Sequence, residues 1–165
     1  METAREFYVA VGKEPIVLGH EAVGFVGNRL QFALYREAVD LVLKGVCTVE
    51  DVDKACVFGP GLRWGIVGPS LIFHLAGGRA GIQTVLAHIG PSFERAWTDM
   101  ADWKTWPAGW PEVAQAGVEQ EIANRPPELG TTLPEIARFR DDVLIQLLRL
   151  HRKLPAGRGD EGGGT

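Results

Sequence analysis

The first stretch whose residue types could do chemistry is Gly24-Phe25-Val26-Gly27-Asn28-Arg29-Leu30. A carboxamide offers two donors and two acceptor lone pairs, and it needs partners wherever it is buried. Gly24 and Gly27, both on the N-terminal side of Asn28, remove bulk near it, so a ligand or another backbone can approach closely. A neutral donor placed there can steady negative charge developing on a substrate oxygen without itself titrating. The plainer reading is a polar first helical turn with glycines kept for packing. The second stretch is Phe58-Gly59-Pro60-Gly61-Leu62-Arg63-Trp64-Gly65, followed by Gly68-Pro69. Its glycines and prolines fix one backbone path. Arg63 beside Trp64 could hold an anion against an apolar wall; alternatively Arg63 caps a helix and Trp64 is core.

Periodicity gives the elements that must position these residues. Phe25, Phe32, Val39 and Val42 recur at helical spacing, which predicts a buried helix face from about Gly24 to Lys44. A short helix is expected over Thr3 to Val11, ended by Gly12. Thr48 with Asp51 resembles a capping box opening a helix over Val49 to about Val57. Pro69 starts another, Ile82 to Ile89 continues in helical period, and Gly90-Pro91 is expected to reset the chain before a helix over Ser92 to about Asp102. Trp103 to Pro111 holds three tryptophans and two prolines and reads as a loop or aromatic cover. Helices follow over Pro111 to Ala123 and Leu133 to Lys153. No run alternates with the period of a strand, so the expected class is all-α, a compact bundle of five to seven helices.

Composition narrows the partners. The chain has 165 residues, 45% hydrophobic and 23% charged, with a formal net charge of -4. That is enough for one domain with a core. An acidic chain without a basic run argues against nucleic acid and against an anionic membrane. The longest apolar run is too short and broken to span a bilayer. Cys47 and Cys56 fit no metal spacing and no disulfide framework, so both are read as reduced, in a cytoplasmic protein. Five tryptophans favour an interface or a ligand pocket.

Gly24-Phe25-Val26-Gly27-Asn28-Arg29-Leu30 resembles the opening of the C-terminal helical domain of the 3-hydroxyacyl-CoA dehydrogenase family. Gly59 to Trp64, Gly68-Pro69 and His74-Leu75-Ala76-Gly77-Gly78 resemble the branch that contains L-gulonate 3-dehydrogenase (lambda-crystallin) and L-carnitine dehydrogenase. The resemblance runs from about Thr3 to Leu154. One departure is Val23, where the family usually has proline.

The resemblance implies a domain like the 6-phosphogluconate dehydrogenase C-terminal domain, dimeric, spanning residues 23–154. Residues 1–22 would then be the end of a Rossmann domain and its linker; the Gly-rich, polar run at 155–165 is read from its composition as a disordered tail. The resemblance implies that Asn28 orients the substrate oxygen, with Arg63, Trp64 and Phe25 near the substrate. It implies NAD in a Rossmann half, supplied by a separate subunit or absent from this chain. The sequence contains no Gly-x-Gly-x-x-Gly after a strand, so no cofactor is expected on this chain alone. The expected function is the substrate-binding and dimerisation half of an NAD-dependent dehydrogenase acting on 3-hydroxyacyl-CoA or a small hydroxy acid. Two alternatives stay open. One is a cofactor-independent cyclase or dehydratase using His20, Glu21, Glu37 or His74 as acid and base. The other is a pure dimerisation module.

Overall fold

The computed structural model describes residues 2–154, so the proposed tail at 155–165 lies outside the described residues. Every regular element among them is helical, as the sequence predicts: α1 (Glu2–Ala10), α2 (Phe25–Leu43), α3 (Val49–Phe58), α4 (Pro60–Trp64), α5 (Pro69–Ala76), α6 (Gly81–Trp97), α7 (Trp110–Asn124) and α8 (Leu133–Leu150). Single 3-10 turns at Gly78–Ala80 and Pro127–Leu129 lead into α6 and α8. The count exceeds seven because α4 is a separate five-residue turn.

Local chemistry explains most boundaries. Gly24 and Phe25 stand in left-handed conformations, at φ 81 and φ 51, before α2 straightens. Glycine adopts this freely, whereas the same geometry costs Phe25 about 1–2 kcal/mol. Thr48 Oγ1 accepts from Asp51 N at 3.1 Å and Thr48 N donates to the Asp51 carboxylate at 3.2 Å. This is the predicted capping box; the Thr48 hydroxyl, donating to the Asp51 carboxylate at 2.7 Å, and then the Thr48 amide hold the Asp51 carboxyl below its usual range. At the start of α8, the Glu135 carboxylate accepts from the amides of Thr131 and Thr132, both at 3.0 Å.

Gly59-Pro60-Gly61 is a packing device. A β-carbon on Gly59 would sit 2.3 Å from Ala55 O, and one on Gly61 would sit 2.3 Å from Cys56 O. The missing side chains let α4 turn directly off the end of α3, with Pro60 as its first residue, where proline's absent N–H costs nothing. Pro91 is the reverse case. The predicted reset at Gly90-Pro91 does not occur, and α6 runs through it. Proline inside a helix removes one hydrogen bond and strains the preceding turn. Packing on both sides outweighs that local cost: Phe73 of α5 meets Phe93 of α6 edge to face at 5.5 Å.

The helices form a loosely filled assembly. α3 packs against α2, α4 and α7, and α5 packs against α4 and α6. The buried apolar residues are Val39, Val52, Val85, Ala101 and Trp110. The stripe expected to bury α2 is enclosed at Val39 but open at Phe25 and Phe32, which are 62% and 60% exposed. The face of α8 is likewise open at Val143 and Leu150. Total accessible surface is 13375 Å², whereas a monomeric globular chain of this size exposes roughly 8,000 Å². The residues outside the described range supply at most roughly 1,600 Å² of that difference. No single helix among the described residues is long and apolar enough to cross a membrane.

α3 and α7 touch most closely at Gly117, where a β-carbon would lie 2.4 Å from Val49 Cγ2. Gly117→Ala should therefore lose the gain of about 1 kcal/mol that alanine normally brings to a helix, and destabilise by about 1–3 kcal/mol instead. In a Val49→Ala background the same change should cost less but still destabilise, because Val49 Cβ itself would remain 2.7 Å from the new β-carbon. Urea unfolding of the four proteins checks the coupling; strictly additive effects would contradict the close approach.

Candidate functional site

The C-terminal half of α2 is clamped to the loop between α6 and α7. Three polar side chains, the neighbours Arg36 and Glu37 and the C-cap residue Lys44 about two turns on, hold that loop's backbone. Arg36 Nη1 donates to Trp103 O at 3.5 Å. Ala101 N donates to Glu37 Oε2 at 2.9 Å. Lys44 Nζ donates to Asp99 O at 2.8 Å and pairs with Asp40 at 2.7 Å. A loop held by helix side chains at three points keeps its shape without a ligand, which is the requirement for a preorganised wall.

The loop and α2 enclose a cleft of about 390 Å³, lined by Phe32, Tyr35 and Arg36 from the helix and by Trp103, Lys104 and Trp106 from the loop. Its aromatic rings meet at angles instead of stacking. Tyr35 and Trp106 have centroids 6.0 Å apart at 71°, and Trp103 and Trp106 are 5.9 Å apart at 42°. Tyr35 also touches the buried Trp110 at 6.2 Å, which ties the cleft wall to the core. Trp106 is 62% exposed. The Trp-rich stretch read from the sequence as a cover is therefore one wall of an open cleft.

The residues singled out in the sequence are distributed as follows. Asn28 is exposed, in the first turns of α2. Positions 28, 32 and 35 fall on one helical stripe, so Asn28 sits on the cleft side of α2, one turn (about 6 Å) from Phe32. Phe25 is exposed three residues before it. Arg63 and Trp64 stand on α4, which packs against α3 and α5. Arg63 Nη1 reaches back to Gly59 O at 3.4 Å, a contact within its own turn. His20 and Glu21 are exposed in the segment before α2. Glu37 spends a carboxylate oxygen on the Ala101 amide. The His74 ring lies over Gly81, where a β-carbon would come within 2.6 Å of it. The four acid–base candidates are not among the cleft-lining residues. Tyr35, Arg36 and Trp106 went unmarked as site residues in the sequence; the signal available was the tryptophan density of the loop.

One carboxyl is pushed upward elsewhere. Burial, and then Asp53 beside it, raise the pKa of Glu121 at the α3–α7 seam. It belongs to helix packing rather than to the cleft.

The all-α fold and the glycine-proline turn into α4 are those of a helical C-terminal domain of the dehydrogenase type. The profile of the 3-hydroxyacyl-CoA dehydrogenase C-terminal domain matches residues 24–109, and the chain belongs to that family. Among curated relatives, it is 38% identical over 165 residues to an L-carnitine dehydrogenase of Nocardiopsis dassonvillei, covering 100% of this chain and 48% of that protein. It is 34% identical over 165 residues to the L-carnitine dehydrogenase of Bacillus cereus, covering 96% of this chain and 47% of the relative. It is 36% identical over 156 residues to that of Streptomyces griseus, covering 94% and 44%. The chain spans about half the length of the curated relatives it matches.

The clamp on the loop gives a direct expectation. Glu37→Ala should speed hydrogen exchange at the Ala101 amide by about 10- to 100-fold, the range expected for losing a hydrogen bond to a charged acceptor. Glu37→Gln keeps an oxygen acceptor and should retain most of the protection. Unchanged exchange in the alanine variant would show that the clamp does not hold the loop.

Proposed function

We propose that this chain is the substrate-binding and dimerisation half of an NAD-dependent dehydrogenase acting on a small 3-hydroxy acid. L-carnitine, named in its relatives, is the first candidate substrate. The observation that carries this reading is the family match beginning at Gly24, together with coverage of only about half of each relative. The half of the relatives that this chain does not span is the expected home of NAD. The only Gly-x-Gly-x-x-Gly in the sequence, Gly157 to Gly162, lies in its glycine-rich C-terminal run and follows no strand-like run, so it lacks the setting of a dinucleotide-binding fingerprint. The reaction removes hydride from C3 of the substrate and a proton from its hydroxyl, leaving a 3-oxo acid and reduced cofactor. The proton acceptor belongs to the other half. The task of this chain is to bind and orient. Asn28, exposed beside the cleft, can donate from its amide to the C3 oxygen and favour the geometry in which charge develops there.

Two further surfaces support the reading. Phe7, Tyr8 and Val11, in and just after α1, are all at least half exposed, as expected of a segment that packs onto a Rossmann half. The excess accessible surface, with open apolar faces on α2 and α8, fits a second copy of this chain in an isologous dimer. The cyclase reading lacks an acid–base pair in the cleft, and Asn28 is open rather than enclosed, which disfavours a module kept for dimerisation alone.

The chain alone should form no reduced cofactor from L-carnitine and NAD. Joined to the N-terminal half of the Nocardiopsis relative, it should do so. Asn28→Ala in that joined protein should lower kcat by about 100- to 1,000-fold with a smaller change in KM. Steady-state absorbance of the reduced nicotinamide is the readout. Turnover by the chain alone, or an Asn28→Ala variant with unchanged kcat, would overturn the assignment.

A further inference from the structure

We infer that the cleft between α2 and the tryptophan loop is a betaine site, taking a quaternary ammonium on its aromatic walls and the carboxylate of the same molecule on Arg36 and Lys104. The inference rests on the reading above and assigns the two charged ends of the substrate to residues. Aromatic side chains recognise quaternary ammonium through the negative faces of their rings, at centroid distances up to about 6 Å. Such a cation cannot be met by hydrogen-bond donors, so π faces are the chemistry that suits it. Tyr35, Trp103 and Trp106 supply three rings, with Trp106 inclined by 71° to Tyr35 and by 42° to Trp103. Inclined rings form a corner around a small rounded cation, whereas parallel rings would close on each other. Phe32 and Trp106 leave about three-fifths of their surface open. The walls are already fixed, because Arg36 and Glu37 hold the backbone at Trp103 and Ala101.

The two cations exclude a simpler ligand. Arg36 and Lys104 line the same cleft as the aromatic faces and would repel an ammonium that carried no negative charge. A carboxylate in the same molecule reverses that sign. Arg36 spends one guanidinium N–H on Trp103 O, and its remaining donors keep the fork geometry that suits a carboxylate. The requirement is thus for both charges together. Phe32 connects this cleft to Asn28 one turn away, so the carbon between the two charged groups lies toward the amide.

Isothermal titration of the full chain, without cofactor, tests this with four probes. These are L-carnitine; its uncharged-tail carbon isostere 3-hydroxy-5,5-dimethylhexanoate; tetramethylammonium chloride; and 3-hydroxybutyrate. L-carnitine should bind at least 10-fold more tightly than any of the other three. Trp106→Leu should abolish that preference, and Trp106→Phe, which keeps a ring, should retain most of it. Equal binding of the carbon isostere, an unaffected leucine variant, or no L-carnitine binding at 50 mM would overturn the betaine site. None of those results would touch the dehydrogenase assignment, which the joined protein tests with its own turnover. Conversely, a selective betaine site in a chain whose joined protein never forms reduced cofactor would leave this inference standing and remove that one.

Discussion

The clamp between α2 and the loop that precedes α7 is the interaction on which the rest depends. Val39 is fully enclosed, and it fixes the C-terminal half of α2 in the core. On the adjoining turns, Arg36, Glu37 and Lys44 hold the loop backbone at Trp103, Ala101 and Asp99. Hydrogen bonds from charged side chains to backbone are among the stronger ones available, about 1.5–3 kcal/mol each. They turn a segment without regular structure into a wall. With that half anchored, the N-terminal half of α2 projects, carrying Phe32, Asn28 and Phe25 on its open side. The same helix thus serves as core, hinge of the cleft and presenter of the amide.

Much of this was legible from residue patterns. The capping box at Thr48 and Asp51 satisfies backbone donors that are otherwise orphaned, and it fixed the start of α3 in advance. Helical period placed α2 and α8, and the lack of strand alternation fixed the class. Pro91 shows where a local rule loses: it removes one helical hydrogen bond, and aromatic packing around Phe93 restores more than was lost. Gly59 and Gly61 show the opposite. Their spacing predicted one fixed backbone path, and their missing β-carbons show why: they make room for carbonyls of α3.

The site was less legible for a physical reason. Periodicity says that a face is apolar; it does not say what covers it. The stripe through Phe25, Phe32 and Val39 has the pattern of a buried face, yet only its last member is enclosed within this chain. The cleft, likewise, pairs residues about seventy positions apart, and nothing in the spacing of Tyr35 and Trp106 announces that they meet. Tryptophan density marked the loop without revealing which side was open. The proposed role would account for both facts, because a substrate and dimerisation half would complete its surfaces against other polypeptide.

The account therefore turns on whether the open faces of α2 and α8 are covered in solution. Sedimentation equilibrium of the purified chain at micromolar concentration measures this most directly. A single species of twice the chain mass, unchanged on dilution to the submicromolar range, is the predicted result. A monomer that unfolds in one cooperative step would contradict it, since that chain would be holding several thousand Å² of excess surface in water without a partner.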